Sequence, residues 1–460
     1  MTKSIFLSSA EAMQEKLGPA LCLAKWQQVS LHLPTGLTNS CYHPPLHEID
    51  AALLKDNPSA LHNTPHKKEQ RKIMLRNERP QECSYCWTQE DLGNLSDRHY
   101  RSGEPWAAEH FDRIINSTGD EDEIPSYVEV NFNNACNLKC SYCSPQFSST
   151  WADEIARYGA YPTSNRHNDP TFFMDRRRPT PNREDNPYVN AFWEWWPSLY
   201  PRLKHFRMTG GEPLMDRNTY RVFDYVLAFP KSDLHIDVTS NFSVEEKLWE
   251  QYFNYVKQLC NTNIEHFMQY VSLDSGIPEQ AEYIRHGMEF KRVLARVEFF
   301  LKHIPGRNSL TFIITMNNLS VLGLRRQLET ILSLRRYHST TYQRVWFDTP
   351  ILRQPTWQSL QILPSVYARR LQDVVDWMQE NSETVERPFQ GFKDYEVQRM
   401  QRVLDWMQEG SKLDAEYVKL QRADFYKFFS EHDKRRGTWF LNTFPEMREF
   451  WNECQYHAQN

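Results

Sequence analysis

The sequence predicts an α/β fold built around a parallel sheet. Short runs rich in β-branched and aromatic residues alternate with longer amphipathic segments, and polar residues follow the ends of the runs. Strands that are each followed by a crossover imply a parallel sheet with helices outside it. The predicted strands are residues 127–133, 203–208, 234–241, 267–275, 310–316 and 344–350.

Residues 1–102 are predicted to form a separate, cysteine-rich domain. The alternating run 26–33 and the Pro-Thr-Gly turn after it predict a hairpin that brings Cys22 and Cys41 to the same end. Cys83 and Cys86 then add a C-x2-C pair. Four thiolates make a complete site, and thiolates alone do not distinguish a zinc ion from an iron–sulfur cluster.

The rest of the chain is predicted to contain a linker, the strand region and a helical extension. Residues 103–125 combine a helix-like stretch with the acidic run 119–123, which we expect to be a solvated loop. Residues 126–355 contain the six strands and a long loop insertion at 157–190. Residues 356–460 carry amphipathic helical patterns, which predict a C-terminal helical extension.

Three cysteines directly follow the first strand. Cys136, Cys140 and Cys143 are spaced C-x3-C-x2-C, so this cysteine loop (residues 136–143) can bring three thiolates to one cofactor. Iron–sulfur clusters normally have four thiolate ligands, so three leave one iron without a local partner. A zinc site needs a fourth ligand, and His167 and His205 are too far along the chain to supply it. Three unrelated buried thiols are a poor alternative, because the chain has only nine cysteines in 460 residues.

A glycine turn (residues 209–213, Thr-Gly-Gly-Glu-Pro) directly follows the second strand. Two glycines let the backbone approach a ligand closely. The glycine carbonyls and the Glu212 carboxylate can accept hydrogen bonds from an ammonium group. Taken alone, this turn is a weak indication of a binding site, because glycine-rich turns are common.

Polar and charged residues also follow the third and fourth strands. Ser240 and Asn241 end the third strand, Ser272 and Asp274 end the fourth, and Arg285 comes shortly after. An arginine suits a carboxylate because its guanidinium forms paired charge-assisted hydrogen bonds. Strand-end caps and surface ion pairs are alternative interpretations of these residues, and Asp274 could also face a substrate.

These motifs together resemble the signature of the radical S-adenosylmethionine (SAM) superfamily. The cysteine loop, with Tyr142 before its last cysteine, is followed one strand and one crossover later by the Gly-Gly-Glu element. The resemblance implies a partial (β/α)6 TIM-like barrel and a [4Fe-4S] cluster on Cys136, Cys140 and Cys143 whose open iron binds SAM. It implies that the reduced cluster cleaves SAM to a 5′-deoxyadenosyl radical, which abstracts a substrate hydrogen, with a flavodoxin or ferredoxin as electron donor.

The same resemblance implies roles for the other site residues. Gly210, Gly211 and Glu212 would hold the methionine amine, and Tyr142 would lie near the adenine. The remaining residues correspond to family positions near the ribose, the methionine or its carboxylate: Ser240, Asn241, Ser272, Asp274 and Arg285. The sequence assigns no further catalytic residue.

The N-terminal cysteines resemble the auxiliary-cluster modules called SPASM and Twitch. Cys22, Gly36 and Cys41 form the pattern C-x13-G-x4-C, which is followed by the C-x2-C pair. Those modules follow the barrel, whereas this one precedes it and lacks the further cysteines of a full SPASM module, so the nearest match is a permuted Twitch-like domain. The resemblance implies a second, auxiliary [4Fe-4S] cluster on the four cysteines. It also implies a peptide, a protein or a small metabolite as substrate.

Composition limits the alternatives. The formal charge of −5 gives no general attraction to nucleic acid or to a membrane surface. The chain has no run of about 18 apolar residues and no signal-peptide core at its N-terminus, so we expect a cytoplasmic protein with reduced thiols. A non-catalytic iron–sulfur or zinc-binding interaction protein on a degenerate barrel is the alternative, although the intact Gly-Gly-Glu turn argues against it. The acidic balance argues against a nucleic-acid-modifying enzyme.

Overall fold

The computed structural model describes residues 5–167, 179–181 and 184–460. Much of the predicted insertion at 157–190 therefore lies outside the described residues. The chain divides into two compact units. Unit 1 comprises Met1–Asn134, Arg177–Asn218 and Pro230–Val238, and unit 2 comprises Ala135–Arg176, Thr219–Phe229 and Thr239–Asn460. The predicted boundaries at 102, 125 and 355 stay a prediction.

The sheet of unit 1 has the strand order β7-β6-β4-β1-β2-β3. Strands β1, β4, β6 and β7 run parallel to one another, whereas β2 and β3 are antiparallel to their neighbours. The strands are β1 (Gln28–His32), β2 (Leu37–Asn39), β3 (His47–Glu48), β4 (Tyr127–Asn131), β6 (His205–Thr209) and β7 (His235–Ser240), whose last two residues belong to unit 2. The predicted hairpin is confirmed by the pairing of β1 with β2.

The two faces of this sheet differ in polarity. Every second residue of the parallel strands is apolar and buried, for example Val128 and Val130 in β4 and Phe206 and Met208 in β6. The residues between them are polar and form three rows across the sheet. The rows are Gln28–Tyr127–His205–His235, Ser30–Glu129–Arg207–Asp237 and His32–Asn131–Thr209. Parallel sheets normally bury apolar side chains on both faces, so the polar face requires an explanation.

Unit 1 packs its helices and short turns on a core rich in tryptophan. This core contains Trp26, which directly precedes β1, together with Trp87, Trp106 and Tyr127 of β4. Residues 1–102 therefore share a hydrophobic core with the first predicted strand. The helices are α1 (Ile5–Lys16), α2 (Ala24–Gln27), α3 (Pro65–Leu75), α4 (Ser84–Asp91), α5 (Asp97–Gly103), α6 (Pro105–Ala108), α7 (Phe111–Ile115) and α9 (Pro187–Leu199).

The acidic run at 119–123 is not a solvated loop throughout, which corrects the expectation from sequence. Glu123 is only 4% exposed. Its two carboxylate oxygens accept hydrogen bonds from the Arg113 guanidinium at 2.6 and 2.7 Å. The Gln27 amide also donates to this carboxylate. The bidentate arginine and the amide donor compensate for the water that this carboxylate loses on burial, which is why this acidic residue can lie inside the fold.

Unit 2 contains a second set of parallel strands and most of the long helices. Strands β8 (His266–Ser272), β10 (Ser309–Ile313) and β11 (Val345–Asp348) lie in the order β11-β10-β8, and the short β5 (Lys139–Cys140) pairs antiparallel with β9 (Arg285–His286). The helices are α8 (Ser149–Tyr158), α10 (Arg217–Ala228, which begins in unit 1), α11 (Glu246–Cys260), α12 (Pro278–Ile284), α13 (Phe290–His303), α14 (Ser320–His338), α15 (Val366–Glu380), α16 (Asp394–Gln408), α17 (Ala415–Arg436), α18 (Phe440–Thr443) and α19 (Arg448–Gln459).

All six predicted strands are present, and the fold is mixed α/β with a mostly parallel sheet, as the sequence predicts. Several strands end earlier than predicted because the polar residues after them form turns. The Asn317 side chain, for example, accepts hydrogen bonds from two backbone N–H groups after β10. Helices α15 to α19 make up most of residues 366–459, so the predicted helical character of this segment is observed. Among the described residues, no helix is both long enough and apolar enough to cross a membrane.

Candidate functional site

The cysteine loop lies in unit 2 and its backbone is fixed by several contacts. Cys140 lies in β5 and pairs with Arg285 in β9. The Ser141 N–H donates to the Ile284 carbonyl at 2.7 Å. The Gln358 side-chain amide accepts from the Ser141 hydroxyl and donates to the Ser141 carbonyl, both at 2.9 Å. Gln358 therefore holds the loop from a position 217 residues further along the chain.

Helix α8 holds the other side of the loop. The Ser148 hydroxyl donates to the Leu138 carbonyl, and the Trp151 indole donates to the Cys140 carbonyl, both at 2.9 Å. These bonds supply hydrogen-bond partners to two carbonyls of the loop. Cys140 and Cys143 remain partly exposed, whereas Cys136 is buried. The loop thus presents its thiols on a backbone that is already ordered.

Arg285 connects the cysteine loop to Asp274. Its guanidinium donates to both Asp274 oxygens at 2.8 and 3.1 Å, and to the Cys140 sulfur at 3.6 Å. The Tyr142 hydroxyl donates to the same carboxylate at 2.8 Å. Burial opposes the Arg285 charge, but Asp274, Tyr142 and Cys140 outweigh it and raise the pKa of Arg285 well above its usual value. These contacts use three of the five guanidinium N–H groups, and the predicted contact with a methionine carboxylate stays a prediction.

The other predicted residues of unit 2 lie at the strand ends. The Asn241 amide donates to the Asn137 side chain of the cysteine loop at 2.9 Å, and Asn137 in turn donates to the Ser243 carbonyl. The Ser240 hydroxyl accepts from the Phe242 N–H, so it caps the end of β7. Ser272 is the last residue of β8. The structure therefore joins Asn241, Asp274 and Arg285 to the cysteine loop by hydrogen bonds.

The glycine turn lies in unit 1, at the carboxyl end of β6. Gly210 has φ +128°, and a Cβ atom on it would lie 2.2 Å from Oδ1 of Asn131. Only glycine fits at this position, because L side chains rarely adopt such a φ and because an added Cβ would overlap with the Asn131 side chain of β4. Glu212 is 2% exposed, and one of its carboxylate oxygens accepts from the Leu214 N–H at 3.1 Å.

The four N-terminal cysteines line one pocket of unit 1, here called the four-cysteine pocket. Cys22 precedes α2, Cys41 follows β2, Cys83 lies in a short turn and Cys86 lies in α4. The hairpin brings the first two together, as predicted. Within the described ranges, no group of three or more His, Cys, Asp and Glu side chains is arranged to hold a metal ion directly.

The charges around the four-cysteine pocket suit an anionic group. Three cations (Lys25, Arg98 and Arg101) and one carboxylate (Asp97) line it, and Lys25 and Arg98 are only 2% and 3% exposed. Burial raises the pKa of Cys41 to about 12 and that of Cys83 to about 11, so these thiols are protonated without a metal. Thiolate ligands must lose their protons on metal binding, and buried cations nearby stabilise the negative charge that results. The donor set therefore fits a metal–thiolate cofactor.

Comparison with known proteins supports the resemblance in sequence. The chain is similar to GTP 3′,8-cyclase of Syntrophomonas wolfei subsp. wolfei, a radical SAM enzyme, with 26% identity over 168 residues. The similarity supports a radical SAM enzyme. The alignment covers 36% of this chain and 40% of that relative, so the chain matches less than half of the relative's length. No family model matches.

Solved structures give a more distant similarity. They include SuiB of Streptococcus suis bound to the precursor peptide SuiA, with 11% identity, a TM-score of 0.34 and coverage of 77% of this chain and 69% of that one. SuiB bound to S-adenosylmethionine has 12% identity, the same TM-score of 0.34 and the same coverage, 77% and 69%.

The polar face of the unit 1 sheet was not predicted from the sequence. Glu129 and Arg207 form an ion pair at 3.4 Å, and burial raises the pKa of Asp237, beside Arg207, to about 7. At the amino ends of the strands, the hydroxyls of Tyr127 and Tyr42 lie 2.8 Å apart. The signal was present in the sequence, because every second residue of β4, β6 and β7 is polar.

The polar face lies between two of the candidate sites in unit 1. Tyr42 lines the four-cysteine pocket at the amino ends of β1 and β4. The glycine turn follows the carboxyl end of β6. A polar, partly accessible surface therefore lies between the four-cysteine pocket and the glycine turn.

Proposed function

We propose that this protein is a SAM-cleaving radical enzyme that removes a hydrogen atom from its substrate. A [4Fe-4S] cluster held by Cys136, Cys140 and Cys143 would supply the electron that cleaves SAM to a 5′-deoxyadenosyl radical. The observation that carries the proposal is the cysteine loop, whose three thiols are presented on a backbone fixed from β9, α8 and Gln358.

The chain's own residues would orient and charge-balance this centre. Arg285 donates to the Cys140 sulfur, and a cation at that distance favours the thiolate that a metal needs. Asp274 fixes the guanidinium through two hydrogen bonds, so the donor is held in place before any ligand arrives. Tyr142, bonded to the same carboxylate, is the residue proposed to lie near the adenine.

SAM recognition is assigned to the remaining motif residues. Gly210 allows the backbone to approach a ligand closely, and the 2%-exposed Glu212 offers a carboxylate for the methionine amine. Ser240, Asn241 and Ser272 lie at strand ends, where α/β barrels place their ligands. We extend the proposal to the partial (β/α)6 barrel of the superfamily and to its division at residues 126–355.

The four-cysteine pocket is proposed to hold an auxiliary [4Fe-4S] cluster in a permuted Twitch-like domain. Its four thiols and its buried cations support a resident anionic cofactor. Four cysteine ligands leave no iron open for substrate, which favours a role in electron transfer. The polar face of the sheet supports a polar substrate, either a peptide or protein segment or a small metabolite. A flavodoxin or ferredoxin is the proposed electron donor.

The first experiment follows reductive cleavage of SAM. Protein reconstituted anaerobically is mixed with SAM and dithionite, and 5′-deoxyadenosine is measured beside the Cys140→Ala variant. Cys260→Ala, which alters a cysteine outside both proposed ligand sets, is the matched control. We expect product from the wild type and from Cys260→Ala and none from Cys140→Ala. A wild-type protein that binds a cluster at the cysteine loop but forms no product under these conditions, with or without candidate polar substrates, would instead be an iron–sulfur binding protein.

A further inference from the structure

Lys25 is a buried cation beside the proposed auxiliary cluster. It lies in α2, three residues after Cys22, and its side chain is 2% exposed. Its ammonium group lines the four-cysteine pocket and donates to the Glu82 carboxylate. Lys25 therefore lies in the lining of the pocket together with all four proposed ligands.

Glu82 brings the opposite charge to the same place. It precedes Cys83 in the chain and its side chain is 12% exposed. One carboxylate oxygen accepts from Lys25, and the other lies 2.6 Å from Nε2 of His66, a half-exposed side chain. The pair thus places an ammonium group and a carboxylate together at the pocket, whose other charged lining residues are Arg98, Arg101 and Asp97.

Reduction of an iron–sulfur cluster adds one negative charge to it. A cation close to the cluster stabilises the reduced form and raises the reduction potential, whereas an anion lowers it. These effects are large where water is excluded, because the effective dielectric constant is low. The Lys25–Glu82 pair lies where both effects act on the same cluster.

We propose that Lys25 and Glu82 set the reduction potential of the auxiliary cluster, Lys25 raising it and Glu82 lowering it. This inference rests on the proposed auxiliary cluster and goes beyond it by naming the positioning residues that control its electron affinity. A raised potential favours one-electron reduction of the cluster, which is the direction that an electron acceptor requires.

The test is a potentiometric titration of the full chain followed by electron paramagnetic resonance. The three cysteines of the cysteine loop are replaced by alanine in every sample, so that the signal comes from the four-cysteine pocket alone. We expect Lys25→Met to lower the midpoint potential by about 59 mV or more, a tenfold change in the one-electron equilibrium. Glu82→Gln is expected to shift it in the opposite direction, and the double variant to return it toward that of the parent.

Two controls make the result specific. Lys68→Met removes a cation that is 25% exposed, pairs with Asp122 and does not line the pocket, so the potential should not change. Lys25→Arg keeps the charge and should keep the potential near that of the parent. If Lys25→Met binds no cluster, the Glu82→Gln variant alone tests the inference: a raised midpoint potential supports it, and an unchanged or lowered one overturns it.

The outcomes separate the two proposals. A parent protein that binds no iron in the four-cysteine pocket, or binds zinc instead, overturns the auxiliary cluster and this inference with it. A cluster that is present, but whose potential is unchanged or moves in the same direction in Lys25→Met and Glu82→Gln, overturns only the inference. Opposite shifts with an unchanged Lys68→Met variant support it.

Discussion

Gly210→Ala tests the close contact that shapes the glycine turn. The new Cβ would lie 2.2 Å from Oδ1 and 2.7 Å from Cγ of Asn131, which is only 3% exposed in β4. A left-handed backbone costs an alanine about 1–2 kcal/mol, and forcing an extra carbon into a packed site costs about 1–3 kcal/mol. We therefore expect the variant to lose about 2–5 kcal/mol of unfolding free energy.

Gly93 provides the matched control for this experiment. It lies in the same unit with φ +82°, and nothing would lie within 4 Å of an added Cβ. Gly93→Ala should therefore lose only the backbone term of about 1–2 kcal/mol. Urea unfolding measures both variants, and the difference between them isolates the contact with Asn131.

A double-mutant cycle with Asn131→Ala completes the test. Once the Asn131 amide is gone, the cost of Gly210→Ala should fall toward that of Gly93→Ala, because only the backbone term and the 3.2 Å approach of the new Cβ to the Asn133 carbonyl remain. The reasoning is refuted if Gly210→Ala is as stable as Gly93→Ala, or if Asn131→Ala does not reduce its cost. SAM binding, measured by calorimetry on the same variants, should weaken for Gly210→Ala and stay unchanged for Gly93→Ala.

Three further predictions concern buried polar groups. Gln358→Leu removes both 2.9 Å bonds to Ser141 and leaves buried groups unsatisfied at about 1–3 kcal/mol each, so less iron should be retained at the cysteine loop after reconstitution. Burial raises the folded-state pKa of Asp237 to about 7, so its carboxyl proton is stabilising at low pH and is lost as the pH rises from about 4 to about 7. The free energy of unfolding should therefore fall by up to about 1.4 kcal/mol per pH unit over this range, and Asp237→Asn should abolish that fall in urea unfolding. Glu154→Gln should destabilise by about 3 kcal/mol, because two buried arginines and Lys139 lose their carboxylate, whereas the exposed Glu416→Gln should change thermal stability by less than about 0.5 kcal/mol.

Local patterns predicted the elements and the cysteine pairs well. A strand is encoded by alternation within a few residues, as in β4 and β6, and a hairpin by the turn between its strands, so Cys22 and Cys41 could be brought together without knowledge of the fold. The cysteine loop was equally local, because three ligands within eight residues need no long-range information.

Contacts between distant residues could not be predicted in this way. Gln358 binds Ser141 across 217 residues, and no pattern near either residue indicates the other. Glu123 was expected in a solvated run, because its burial depends on Arg113 and Gln27, which pack against it only in the folded chain. The bonds of Arg285 to Asp274 and to the Cys140 sulfur were not predicted either, and its predicted contact with a ligand carboxylate stays a prediction.

In unit 1, the four-cysteine pocket and the glycine turn lie at opposite ends of the polar face of the sheet. Each five-residue strand spans about 13 Å between its first and last Cα atoms, at about 3.3 Å per residue. The four-cysteine pocket adjoins the amino end of β4 through Tyr42 and Tyr127, and the glycine turn follows the carboxyl end of β6. A substrate bound along the polar rows would reach from one feature toward the other. An apolar sheet face would pack equally well and would cost less free energy to bury. The ion pair between Glu129 and Arg207 and the buried Asp237 therefore favour a role for this face in binding rather than in stability.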